Sequence, residues 1–247
     1  MGYGLYLYGI FPLPGPENLS LEGLDKQPVQ LQTVDGFAFL YSEAQQERYL
    51  ASRKNLLGHE RVLEQAMHAG YRTLLPLQFG LIIEDWAMVT QQLTQPHGES
   101  LHHLFEKLAG KREVGIKLFW TQDAELQALM DENQTLKAQR DSLEGKNLSM
   151  DEVVKIGQAI EKAMEARKQG IIDAFRSGLN PLASEIVEND TLMESMIYNA
   201  AYLIPWDSEP EFSHQVETLD HQFDQRLKIR YNNFTAPFNF AQIDRLN

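Results

Sequence analysis

Met196-Ile197-Tyr198-Asn199-Ala200-Ala201-Tyr202-Leu203-Ile204 is apolar at both parities of its alternation and is closed by Pro205. A strand that has to bury both faces lies inside a sheet, so this one reads as a central strand and its flanks decide the fold. Downstream, Ser208–Phe223 predicts an amphipathic helix with Phe212, Val216, Leu219 and Phe223 turned inward, and Leu227, Ile229 and Tyr231 then alternate with Lys228, Arg230 and Asn232 in a last strand. Upstream, Ser184–Glu188 predicts a short strand. Before it, Ser149-Met150-Asp151-Glu152 forms a capping box that opens a helix lined on one face by Val153, Ile156, Ile160, Met164 and Ile171. Gln122–Leu143 predicts the preceding helix, stopped by Gly145, with Leu129, Leu136 and Leu143 in the register of a short coiled-coil seam. Glu113–Trp120 alternates as a half-exposed strand. The resulting order, β-(αα)-β-β-α-β, is the split βαβ arrangement of a ferredoxin-like domain whose first crossover is enlarged by a helical hairpin at about residues 121–177.

The first half reads differently. Tyr3 to Ile10 predicts a buried strand ended by Pro12, Pro14, Gly15 and Pro16. Val29–Val34 and Phe37–Tyr41 flank Asp35-Gly36, the pair that best tolerates the positive φ angles of a type I′ hairpin turn. A helix is expected from about Gln45 to Ala69, a short buried run at Leu74–Gly80, and helices at Glu84–Leu93 and Glu99–Ala109 separated by a break at Gln95-Pro96-His97-Gly98. The fold class is therefore α+β with two domains: an N-terminal α+β domain at 1–111 and the ferredoxin-like domain at 112–233. The remaining 234–247 are too apolar to float free, so Phe234, Pro237, Phe238 and Phe240, with Ile243, are expected to dock on the body.

Composition narrows the function. In 247 residues, 43% hydrophobic, there is enough apolar material for a real core. Thirty-five acidic residues against 22 basic give a formal charge of −13, which repels nucleic acid backbones and anionic membrane surfaces. Cysteine is absent, so disulfides, thiolate nucleophiles and zinc-thiolate sites are excluded together and a cytoplasmic location is expected. The apolar opening run has no basic flank before Lys26 and stops at Pro12, too short to span a bilayer or to signal export.

Catalytic patterns fail one by one. His97, His102 and His103 cluster without a carboxylate at ligand spacing, His59-Glu60 opens like a zincin helix but has Leu63 where the second histidine belongs, and His214 and His221 lie on an acidic helix. No nucleophile elbow, Walker loop or dinucleotide turn occurs, and Glu84/Asp85 and Asp151/Glu152 sit in first helical turns where the helix dipole accounts for them. No catalytic residue, cofactor or metal is therefore assigned. One competing binding class has a motif: Asp35-Gly36-Phe37-Ala38-Phe39-Leu40-Tyr41-Ser42 resembles the RNP1 strand of RNA-recognition modules and Leu5-Tyr6-Leu7-Tyr8 its RNP2 strand. Asp35 stands where RNP1 carries a cation, and the required helix would have to fit into the proline-rich Pro12–Gln27, so a core hairpin accounts better for these residues.

Six segments in order, Tyr6-Leu7-Tyr8-Gly9-Ile10, His59-Glu60-Arg61-Val62-Leu63-Glu64, Leu75-Pro76-Leu77-Gln78-Phe79-Gly80, Glu113-Val114-Gly115-Ile116-Lys117-Leu118-Phe119-Trp120, Asn199-Ala200-Ala201-Tyr202-Leu203 and Leu227-Lys228-Ile229-Arg230-Tyr231, resemble the gas vesicle GvpF/GvpL family, nearer its GvpF branch. Gln78 departs from the basic residue often found there, and Asn232–Pro237 from the usual Gly-Pro-rich stretch. The resemblance implies a non-enzymatic accessory or minor structural component, associated with the gas vesicle, that binds the apolar major shell protein GvpA and other accessory proteins during assembly.

An aromatic-rich N-terminus suggests where. Tyr3, Tyr6, Tyr8 and Phe11 exceed what a small core buries easily and are the candidate partner-binding residues, with core packing the alternative. The Leu129/Leu136/Leu143 seam is a second candidate, for another accessory protein or a self-dimer, unless it packs on the helix that follows.

Overall fold

The computed structural model describes residues 2–17, 19–143, 149–223 and 226–242. Its elements are β1 (Leu5–Pro12), β2 (Gln30–Val34), β3 (Phe37–Glu43), α1 (Arg53–His68), β4 (Leu75–Pro76), β5 (Ile82–Ile83), α2 (Trp86–Val89), α3 (Gln95–Leu108), β6 (Lys111–Phe119), α4 (Gln122–Glu132), α5 (Gln134–Asp141), α6 (Met150–Leu179), β7 (Glu185–Glu188), β8 (Met196–Pro205), α7 (Glu209–Gln222) and β9 (Lys228–Thr235). The architecture is α+β, with two compact units: Met1–Val114 with Leu203–Asp207 and Asn232–Asn247, and Gly115–Tyr202 with Ser208–Tyr231.

In the first unit the sheet runs β2-β3-β1-β4, with β5 also on β1. Asp35 and Gly36 have φ of 49° and 88°, so both central residues of the β2–β3 turn take the left-handed conformation a type I′ turn requires. Strand alternation divides this sheet's faces. Tyr6, Tyr8, Ala38 and Leu40 pack with Val62, Leu63, Ala66 and Met67 of α1. Phe37 and Phe39 turn the other way, against His102, Phe105 and Trp86. Gly9 permits the close approach of the neighbouring strand: a Cβ there would lie 2.7 Å from Leu74 Cδ1 and 3.0 Å from the Leu75 carbonyl oxygen.

Two helical expectations differ in this unit. The helix expected from Gln45 begins only at Arg53, because Ser52 caps it by accepting from the Asn55 N–H and the Tyr49 hydroxyl accepts from the Gln45 N–H instead. The break expected at Gln95–Gly98 does not occur. A π-helical turn at Thr90–Thr94 joins α2 to α3, the Gln95 N–H bonding the Thr90 carbonyl, and Pro96 follows directly after it without breaking the helix. The Thr90 and Thr94 hydroxyls both donate to the Asp35 carboxylate, which holds its pKa below the ordinary value.

In the second unit the sheet order is β7-β8-β6-β9. First and third strands are central, second and fourth lie at the edges, which is the split βαβ order of a ferredoxin-like fold. β8 is buried along its length up to Ile204. Phe212 of α7 lies between Tyr202 of β8 and Tyr231 of β9, with ring centroids 5.2 and 5.8 Å away. The single helix expected over Gln122–Leu143 is two: Asn133 leaves helical geometry and its side chain caps α5 by accepting from the Leu136 N–H. The capping box at the start of α6 is formed by Ser149 and Glu152. The stop expected at Gly145 lies outside the described residues.

The unit division differs from one cut at 111/112. The ends of β8 and β9 carry Trp206 and Phe234, and these rings meet each other edge-on and are capped by the Arg72 and Arg112 guanidiniums, so these strand ends belong to the first unit. Among the described residues no helix is long and apolar enough to cross a membrane.

Candidate functional site

Three of the six family-like segments meet in one buried network in the first unit. His59 Nε2 donates to the Leu77 carbonyl at 3.1 Å, since a carbonyl can only accept, which leaves Nδ1 to accept from the Tyr6 hydroxyl at 2.9 Å. The Tyr6 hydroxyl accepts in turn from the Gly80 N–H at 3.0 Å. Beside it, the Tyr8 hydroxyl accepts from the Leu24 N–H at 2.8 Å and pairs with Ser42 Oγ at 3.0 Å. Burial lowers the His59 pKa to about 4, so the ring is neutral, and raises those of Tyr6 and Tyr8. Each polar atom named has its partner, so the network fixes the Leu75–Gly80 segment against β1 and α1 rather than offering a reactive group.

The candidate partner-binding residues are thereby sorted. Tyr6, Tyr8 and Phe11 are core residues, at most 2% exposed, and do not form a surface. The core has room for all three rings because the Tyr6 and Tyr8 hydroxyls are satisfied internally, so burying them leaves no polar group unpaired, and Phe11 carries none. Tyr3, at 59% exposure, is the one of the four that faces solvent.

The tail residues lie within the first unit. Phe234 and Phe238 pack against the core cluster around Ala236, Pro237 and Phe240 are buried, and Lys107 lies over the Phe240 ring. Glu113 accepts from both the backbone N–H and the side-chain amide of Asn239, at 2.9 and 2.6 Å. Burial outweighs these two hydrogen bonds and raises the Glu113 pKa to about 7. Ile243 lies outside the described residues. Glu113 is a site that sequence reasoning missed; a lone acid inside a strand alternation was its only signal.

The other candidates resolve locally. Leu129 and Leu136 pack with Met130 against Met164 of α6, with Ile160 and Ala163 alongside, so these two leucines of the seam are covered by the next helix. The same helices share an ion cluster in which the buried Glu125 receives Arg167 at 2.6 Å and Arg226 at 3.1 Å. Among the described residues no three His, Asp or Glu side chains gather as metal ligands. His102 packs on Phe37 and His103 pairs with Glu106. β1 and β3, which carry the RNP-like segments, are neighbours, but helices cover their aromatics on both faces, and no open stacking platform is left there.

Several large apolar side chains remain exposed on the surface. In the first unit Leu50, Leu56 and Leu57 stand exposed at the start of α1, Leu50 with 74% of its surface free, and the Leu50 carbonyl accepts from the Asn55 side chain. In the second unit Met150, Val153 and Val154 are exposed on the first turns of α6, and Leu192 and Met193 between β7 and β8. His59 and Glu113 do not line the open surface depressions of about 470 to 540 Å³ at Trp120 and Ile160, at Phe119 and Arg230, or at Leu13 and Leu31.

Comparison with known proteins places this arrangement. The family model for gas vesicle synthesis protein GvpL/GvpF matches residues 4–242. Gas vesicle protein F of Dolichospermum flosaquae is 63% identical over 244 residues, covering 99% of this chain and all of that protein, and that of Microcystis aeruginosa is 56% identical over 243 residues, again covering all of that protein. The crystal structure of GvpF from Anabaena sp. PCC7120 superposes with a TM-score of 0.85 at 57% identity, covering 99% of this chain and 98% of that one. The GvpF crystal structure from Microcystis aeruginosa gives 0.82 at 56% identity, covering 98% and 100%. On a match of this extent in both sequence and fold, the chain belongs to the gas vesicle synthesis protein GvpL/GvpF family.

Proposed function

We propose that the chain is a non-enzymatic accessory protein of gas vesicle formation, acting in the cytoplasm at the vesicle, where it binds the major shell protein GvpA and other accessory proteins. The observation that carries this reading is the nearly full-length likeness to gas vesicle protein F. Its physical basis is the apolar surface of a gas-holding wall. Shell subunits with such a surface are driven together in water, at about 25 cal/mol per Å² buried. A protein with net charge −13 that covers part of that surface keeps the subunit dispersed until it is incorporated.

The contact assigned to the first unit is the exposed apolar group Leu50, Leu56 and Leu57, together with Tyr3. Each leucine fully covered by a partner contributes roughly 2 kcal/mol. The test is GvpA aggregation followed by light scattering with and without the full chain. Suppression by the wild type, and its loss in a Leu50→Ser/Leu57→Ser variant with unchanged circular dichroism, supports the assignment. Equal suppression by both proteins removes these residues from the contact, and no suppression by either removes the shell-binding reading.

A further inference from the structure

In the second unit, cations gather on one face of the β7-β8-β6-β9 sheet. Two ring contacts define the faces. Tyr231 of β9 stacks on Phe212 of α7, whereas its neighbour Arg230 lies over Phe119 of β6, 4.9 Å from the ring centroid. Alternation along the strands therefore sets Lys228 beside Arg230, and Lys117 beside Phe119, on the face opposite α7. A depression of about 470 Å³ opens there, with Phe119, Trp120, Met193, Arg226, Lys228 and Arg230 in its lining and no carboxylate among its lining residues.

That segregation is unusual in a chain with 35 acidic and 22 basic residues. Within this unit the other arginines find carboxylates: Arg140 meets Asp141, Arg167 meets Glu132 and Arg176 meets Glu188. Arg226 does the same through Glu125. Lys117, Lys228 and Arg230 form no ion pair with any described carboxylate. Arg230 is held ready by its seat on Phe119, which limits the rotamer freedom a ligand would have to remove. β9 is also an edge strand, with no strand on its outer side among the described residues, so it offers the backbone that an extended chain can pair with.

We propose that this edge of β9 docks an acidic, extended protein segment, added as a further strand whose alternate carboxylates meet Lys228 and Arg230 while Lys117 adds to the attracting field. Alternation suits the site, because on an added strand every second side chain points to the cationic face. The site is distinct from the apolar contact proposed for the first unit and serves an acidic partner rather than an apolar one.

The test uses the full chain and a labelled, end-blocked peptide alternating Glu and Thr, followed by fluorescence anisotropy, with no shell protein present. The expected result is binding that weakens at least about fivefold when salt rises from 50 to 300 mM. A Lys228→Glu/Arg230→Glu variant should lose at least about tenfold, and a Lys155→Glu/Lys162→Glu variant of equal charge change on α6 less than about twofold. Absence of binding at millimolar peptide, equal losses in the two variants, or equal binding of the same peptide with Lys for Glu overturns the proposal. So does binding of a thymidine oligonucleotide as tight as that of the acidic peptide, since it would show a general anion surface.

Discussion

His59 and Glu113 lie in the same unit and are perturbed in opposite senses, which makes their combined pH dependence the sharpest test of the buried network. The folded chain withholds a proton from His59 until about pH 4, whereas the unfolded chain takes it near 6.5, so this group's contribution is full above 6.5 and lost as pH falls to 4. Glu113 keeps its proton up to about 7 when folded but sheds it near 4.5 when unfolded, so its contribution is full below 4.5 and lost as pH rises to 7. Each difference corresponds to roughly 3 kcal/mol. Between pH 4.5 and 6.5 the two slopes, each approaching about 1.4 kcal/mol per pH unit, oppose one another and nearly cancel. A Glu113→Gln variant removes one slope and His59→Gln the other. Relative to wild type, Glu113→Gln should gain about 3 kcal/mol as pH rises from 4.5 to 7, and His59→Gln about 3 kcal/mol as pH falls from 6.5 to 4. Urea unfolding reported by Trp86 and Trp206, in a Trp120→Phe background, measures both differences. Curves for the variants that run parallel to wild type across this range would refute the buried, opposed pair.

Other expectations follow from single contacts. Glu125→Ala removes the buried carboxylate that Arg167 and Arg226 share, while Arg167 keeps Glu132, and should cost about 1 to 3 kcal/mol by urea unfolding, with Arg226→Met/Arg167→Met/Glu125→Leu recovering most of the loss. Gly9→Ala forces a methyl against the Leu75 carbonyl and Leu74, and should cost about 1 to 3 kcal/mol, with a fall in melting temperature. Phe240→Ala empties a buried site beneath Lys107 and should cost about 3 kcal/mol, with faster amide exchange around Asn239.

The elements of the second unit were legible because their signals are local. Alternation at Glu113–Trp120, the Ser149/Glu152 capping box and the doubly apolar Met196–Ile204 each state their own structure, and together they fix the split βαβ order. Where periodicity misled, a side chain competed with the helix: Ser52 moved one start by accepting from Asn55, and Asn133 cut one helix into two. The aromatic N-terminus misled for a different reason. An apolar ring with a hydroxyl reads equally as interface or core, and only the distant partners His59, Ser42 and Gly80 decide for the core. Glu113 was unreadable for the same reason, since Asn239 lies 126 positions away in the chain.

The proposed function requires contact with a greasy wall subunit. Sedimentation velocity of the full chain mixed with freshly solubilised GvpA tests it most directly. A new, discrete boundary containing both proteins, absent when Leu50 and Leu57 are replaced by serine, is the predicted result. The chain sedimenting unchanged while GvpA pellets alone would contradict it.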